Sequence, residues 1–214
     1  MGSFLVKDCA LAVIATGQSA ASITVMKELL ARIPISSIYY HFWGERIRPS
    51  FVHPEYLNDF ARWAYKELHD PVLSERLAII DPSDFPDFEN LRRTLIDIFD
   101  RRIDETDTIL VLKRESKFQF LRSVMTIFET PLKAENPPDL KAVIPHISSG
   151  SIFFHFIDAR SRTANRTDDF SQWLLGYGDK YIETVKKLSH IDPYFYTLTQ
   201  IKHEVIKILN DSFK

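Results

Sequence analysis

The sequence predicts a mainly α fold, built as a tandem duplication of a four- to five-helix unit whose copies pack with pseudo-twofold symmetry, with room for one short strand per copy. Three observations lead there. Matched segments recur at a nearly constant interval, apolar residues fall at helical spacing in both halves, and capping residues stand where those stripes begin.

The repeat is clearest where Ser36-Ser37-Ile38-Tyr39-Tyr40-His41-Phe42 meets Gly150-Ser151-Ile152-Phe153-Phe154-His155-Phe156, a shift of 114 positions. An Arg-x-Arg step follows each histidine, Arg46 and Arg48 in one half and Arg160 and Arg162 in the other. After a loop four residues shorter in the second half, Asp59-Phe60-Ala61-Arg62-Trp63 meets Asp169-Phe170-Ser171-Gln172-Trp173, and Ile80-Asp81-Pro82 then meets Ile191-Asp192-Pro193. Leu91, Leu95, Ile98 and Phe99 stand opposite Ile201, Val205, Ile208 and Leu209, both sets running i, i+4, i+7, i+8. Five matches in one order, with gaps confined to loops, favour duplication over chance. The expected organisation is a first unit over 1–104, a connector over 105–114 and a second unit over 115–214.

Within the first unit, Val25, Met26, Leu29, Leu30 and Ile33 form a helical stripe ended by Pro34, and its counterpart is Leu140, Val143, Ile144 and Ile147. The Ser-Ile-aromatic-aromatic-His-Phe segments read as helices, with Ser36 and Ser149 as N-caps. Asn58 and Asp168 cap the helices that carry Trp63 and Trp173. Asp70 followed by Pro71 starts a further helix to Ile80, matched by one from Asp179 to about Ser189. The apolar runs Leu11 to Ala15 and Val124 to Phe128 are too short for periodicity to assign; a strand fits either.

Hydrophobic residues at 45% and charged residues at 26% suit a chain with a packed core. Lys plus Arg at 27 against Asp plus Glu at 29 gives a formal charge of -2, so no global basic field exists to hold nucleic acid or an anionic membrane, and neither is an expected partner. Cys9 is the sole cysteine, which excludes an internal disulfide framework and a cysteine-rich zinc site. No apolar run approaches a spanning helix, and the run Cys9 to Ile14 is shorter than a signal-peptide core. A cytoplasmic protein is expected.

One polar constellation recurs: His41, Arg46, Arg48 and Asp59, then His155, Arg160, Arg162 and Asp169. Guanidinium forks bind phosphate or carboxylate bidentately and a histidine adds a hydrogen bond, so His41, Arg46, Arg48, His155, Arg160 and Arg162 are candidate anion ligands. The competing reading pairs an arginine with the following aspartate to fix the loop, with the histidine packed among aromatics and bonded to backbone. Asp59, Trp63, Asp169 and Trp173 are read as structural, the tryptophans as core.

Metal binding has little support, because His53 and His69 lack counterparts and no H-E-x-x-H or paired-cysteine spacing exists. His69-Asp70 resembles the doublet of helical metal-dependent phosphohydrolases, but Asp70 is explained as the cap before Pro71. Ser37, His41 and Asp59, with Ser151, His155 and Asp169, are the residue types of a hydrolase triad, yet no G-x-S-x-G elbow accompanies them. Gly17 stands in no phosphate-cradling pattern. No cofactor and no catalytic residue is assigned.

On Ser37-Ile38-Tyr39-Tyr40-His41, Asn58-Asp59-Phe60-Ala61-Arg62-Trp63 and the stretch Leu73 to Pro82, the chain resembles a prokaryotic family, Domain of Unknown Function family 5752. The resemblance covers most of residues 10–103 and, more faintly, 120–213. It implies that His41 and the box Asn58 to Trp63 are signature positions, from which the second half departs at Asp168, Ser171 and Gln172. It brings no activity with it. The expectation is a non-catalytic interaction or regulatory module with a protein partner; the alternatives are a binding module for a phosphorylated or carboxylated small molecule, and a hydrolase.

Overall fold

β-Branched and aromatic residues crowd the stretch Phe118 to Thr130, where the pleated backbone suits them better than a helix does, and Val6, Val13, Ile14 and Thr16 punctuate a second stretch near the start of the sequence. In a computed structural model, which describes residues 2–47, 55–106, 113 and 116–213, both become 17-residue strands, β1 (Phe4–Ala20) and β2 (Phe118–Ala134). They form a two-stranded antiparallel sheet. This overturns the expected mainly α architecture of tandem helical units with at most a short strand each: the fold is mixed α and β. The physical reason is that a ladder joins segments more than a hundred residues apart, so its hydrogen bonds leave no local periodicity to read.

The described residues form two compact units. One is contiguous, Leu11–Val124; the other is composite, Met1–Ala10 together with Met125–Lys214.

In the contiguous unit the β1 segment is followed by α1 (Ile23–Leu30), α2 (Ile35–Ile47), α3 (Asp59–Lys66), α4 (Pro71–Ala78) and α5 (Phe88–Asp104), and the β2 segment comes last. Ser22, Asn58, Asp70 and Asp87 cap α1, α3, α4 and α5, each accepting a hydrogen bond from a backbone N–H three residues on. Ser36 lies inside α2, which starts two residues earlier than the capping pattern suggested. Met26, Leu29 and Leu30 of α1 pack on α5, whose Leu91, Leu95 and Phe99 are fully buried, and α3 packs on α4.

In the composite unit a short helix α6 (Leu140–Val143) precedes one longer helical run: α7 (Ser149–Ile152), a π-helical stretch Phe153–Asp158, and α8 (Ala159–Arg162). Ser148, not Ser149, caps α7 through the N–H of Ser151. Then come α9 (Asp169–Leu175), α10 (Ile182–Ser189) and α11 (Leu198–Ser212), with Asp168 and Thr197 capping α9 and α11. Ile201, Val205 and Leu209 of α11 are fully buried, and α10 packs on both α9 and α11. Arg48, His53 and most of the expected connector lie outside the described residues.

Candidate functional site

Each unit contains a cleft where a strand end meets two helices. In the contiguous unit α2 presents Ser37 and His41, one helical turn apart and both buried, to the backbone of β2. Ser37 Oγ donates to the carbonyl of Leu121 at 2.6 Å, and the N–H of the same residue donates to His41 Nε2 at 3.1 Å. The spacing of four that imitates two members of a hydrolase triad thus serves to satisfy both polar groups of one strand residue.

A backbone N–H can only donate, so Nε2 of His41 is an acceptor and the ring proton resides on Nδ1. Nδ1 lies 2.6 Å from Asp59 Oδ2 and donates to it. Arg62, one turn along α3 from Asp59, bonds to Asp59 Oδ1 and reaches both carboxylate oxygens of Glu45 at 2.8 and 2.9 Å. The guanidinium is held above its ordinary pKa by the hydrogen bonds of Glu45 first and by the charge of Asp59 in addition, against the opposing effect of burial. Phe118 closes the far side, its ring 4.6 Å from His41 and stacked on Phe60 at 5.1 Å. Trp63 donates its indole N–H to the carbonyl of Ser116 at 3.0 Å.

The composite unit repeats the histidine, aspartate and tryptophan contacts with a different cast, while Ser151, opposite Ser37, bonds to Ser148. Lys7 N–H donates to His155 Nε2 at 2.8 Å, and His155 Nδ1 donates to Asp169 Oδ2 at 2.8 Å. Trp173 donates to the carbonyl of Gly2 at 2.9 Å, and Phe4 packs on His155 at 4.9 Å. The arginine here comes from another element: Arg162 of α8 bonds to Asp169 at 3.1 Å, to Asp158 at 2.7 Å and to the carbonyl of Phe154 at 2.9 Å. Burial alone would lower its pKa, but the bonds and charges of Asp158 and Asp169 prevail and raise it. Gln172 stands where the other unit has Arg62.

The clefts enclose about 260 Å³ in the contiguous unit and about 360 Å³ in the composite unit. His41, Asp59 and Trp63 line the first; His155, Arg162, Asp169 and Trp173 line the second. Arg46, on the last turn of α2, and Arg160, whose guanidinium lies over the Phe156 ring at 4.9 Å and reaches the carbonyl of Ile191, line neither. Residues passed over by sequence reasoning complete the lining: Arg62, Lys66 and Lys117 in one cleft, Lys7 and Gln172 in the other. Arg62 lies within the box Asn58 to Trp63 and Lys66 follows it one helical turn on, which was a usable signal; Lys7 and Lys117 arrive on strand ends remote in sequence, which left none. Among the described residues no cluster of three histidine, cysteine or acidic side chains could hold a metal ion, and no helix is long and apolar enough to cross a membrane.

Comparison with known proteins adds the family. The model of a family of unknown function, DUF5752, matches residues 1–210. The chain belongs to that family. Among solved structures, the structure of OrfY from Thermoproteus tenax is similar, with 28% identity and a TM-score of 0.84 over 99% of this chain and 95% of that one. No curated protein matches. The family match, over residues 1–210, takes in both clefts.

Proposed function

We propose that this DUF5752 chain is a non-catalytic binding module whose two clefts receive ligands without transforming them. One observation carries the reading. Both ring nitrogens of His41, and both of His155, are committed to protein partners, Nδ1 to an aspartate and Nε2 to a strand N–H. A general base or nucleophile-activating histidine needs a nitrogen lone pair aimed at the reacting group, and here that lone pair is spent on backbone. Ser37, one helical turn before His41, is likewise turned to a strand carbonyl.

The test is turnover of p-nitrophenyl acetate and p-nitrophenyl phosphate by purified protein. Rates equal to buffer, for the native chain and for His41→Ala and His155→Ala alike, are expected; hydrolysis abolished by either substitution would sink the proposal.

A second reading concerns ligand class. Lys66 and Lys117 in one cleft, and Lys7 in the other, reach no carboxylate among the described residues, whereas Arg62 and Arg162 are already paired. Free ammonium groups beside a cleft favour a small phosphate or carboxylate ligand. Titration with inorganic phosphate and citrate should raise the melting temperature of the native chain and do so less in Lys66→Ala/Lys117→Ala. An equal response in both proteins, or none, removes the anion from consideration and leaves the binding module standing.

A further inference from the structure

We propose that the cleft of the contiguous unit is a docking site for an extended peptide with acidic side chains, which adds a strand to the free edge of β2. The proposal rests on the binding-module reading above and names the class of partner that cleft takes.

The main chain of β2 shows which edge is free. The carbonyl of Phe120 faces β1, where it accepts from Thr16 Oγ1 at 2.7 Å, whereas Leu121 turns its N–H and its carbonyl the other way, to His41 and Ser37 of α2. Successive residues of a paired strand face opposite edges, so Gln119, two before Leu121, turns its N–H and carbonyl away from β1 as well. Among the described residues no helix, loop or side chain outside the sheet bonds to those two groups. Gln119 is exposed and lines the cleft, opposite Arg62, Trp63 and Lys66 of α3. On either side of it the edge is pinned, at Leu121 by His41 and at the carbonyl of Ser116 by the Trp63 indole. A strand edge held at both ends and open between them is a template for another strand, with its donor and acceptor fixed before the ligand arrives.

The charge of the lining selects the peptide. Asp59 is spent on His41 and Arg62, and Arg62 is engaged by Glu45 as well. Lys66 and Lys117, which reach no carboxylate among the described residues, then stand against Glu67 alone, so the cleft offers a ligand positive charge. Ammonium groups by themselves would suit any anion. The donor and acceptor of one strand residue beside them match the acceptor and donor of one peptide residue, which a simple anion lacks. In the composite unit Leu5 holds the same place, two residues before Lys7, whose N–H goes to His155. A single lysine lines that cleft, so the acidic peptide is assigned to the contiguous one.

The full chain, 15N-labelled, is titrated with a capped pentapeptide of alternating valine and glutamate. Saturable shifts of the Gln119 and Lys117 amides are expected, with slowed hydrogen exchange at Gln119. The same peptide N-methylated at every residue, and one with lysine in place of glutamate, should bind at least about tenfold more weakly, and Lys66→Ala/Lys117→Ala should weaken the acidic peptide by a similar factor. Gln119→Pro removes an N–H that the ladder with β1 does not use, so the variant should fold and lose the peptide; if it does not fold, the N-methylated peptide decides. Equal affinity for the N-methylated peptide overturns the inference, since no strand is then added, and so does an absence of shifts with the acidic peptide. A chain stabilised by citrate that ignores the peptide refutes strand addition and keeps the binding module. A peptide that shifts Gln119 and is then cleaved supports strand addition and sinks the non-catalytic reading.

Discussion

Four part-buried groups of His41, Asp59 and Leu121 satisfy one another: a ring N–H, a ring lone pair, a carboxylate oxygen and a strand N–H. Removing the imidazole strands two of them and opens a cavity against Phe118 and Phe60. His41→Ala should therefore cost between about 2 and 5 kcal/mol, measured as a shift in the urea unfolding midpoint; a change near zero would mean water replaces the ring without loss. Asp168 shows the opposite economy. Burial pushes its carboxyl pKa up, against the lowering effect of two bonds from Ser171, while the neutral Asn58 caps the equivalent helix. A carboxyl with a raised folded pKa stabilises the fold fully only below its unfolded value of about 3.9, and that contribution is lost as pH rises through the folded value. Asp168→Asn should consequently match the native chain near pH 4 and exceed it in urea midpoint at pH 7, the gap opening as pH increases. Gly150 sets two principles against each other. Alanine there would gain about 1 kcal/mol of helix propensity, but its Cβ would strike the backbone of Cys9, so Gly150→Ala should lower the melting temperature. A rise would show that the strand yields easily.

Strand ends anchor the helices at the scale of elements, and they do so through one aromatic each. Phe118 contacts His41, Phe60, Trp63 and Phe120, with Phe118 itself nearly inaccessible to solvent. Phe118→Ala is expected to destabilise by about 3 to 5 kcal/mol, with amide protection from hydrogen exchange falling first along Ser116 to Leu121 and in α3. Uniform loss of protection throughout the contiguous unit would instead place the residue in the common core. The helices themselves were legible in the sequence because they are local: Asn58, Asp70 and Asp168 cap them and Leu91, Leu95 and Phe99 recur at helical spacing. Strand length was not. Leu11 to Ala15 and Val124 to Phe128 looked like short apolar runs because most of their side chains are exposed, so neither period 2 nor a buried run marked the seventeen residues of each strand. The π-helical turn around His155 had no local signature either, since its register serves contacts made by Lys7 and Asp169.

For the molecule as a whole, Cys9 offers a reporter of integrity. Burial first, and the charges of Asp8 and Asp158 next, push its thiol up to about 12, so thiolate is essentially absent at neutral pH. Alkylation by iodoacetamide at pH 8 should be slow in the native chain and rapid in urea, and native reactivity should rise with any substitution that loosens the strand end, Phe4→Ala above all. Fast alkylation of the untouched native protein would contradict the docking of that segment. The sequence by itself determined most of the helices, the caps Asn58, Asp70 and Asp168 though not Ser36 or Ser149, the recurrence of a histidine and an aspartate in both halves, and the family, because each of these depends on neighbours a few residues away or on composition. Tertiary structure decided that the fold is mixed, that residues 1–10 complete a unit with 125–214, and that Arg62, Lys66 and Lys117, rather than Arg46, stand at the cleft of the contiguous unit. Those outcomes rest on hydrogen bonds between segments separated by 80 to 171 residues, and only the folded chain brings such partners within bonding distance.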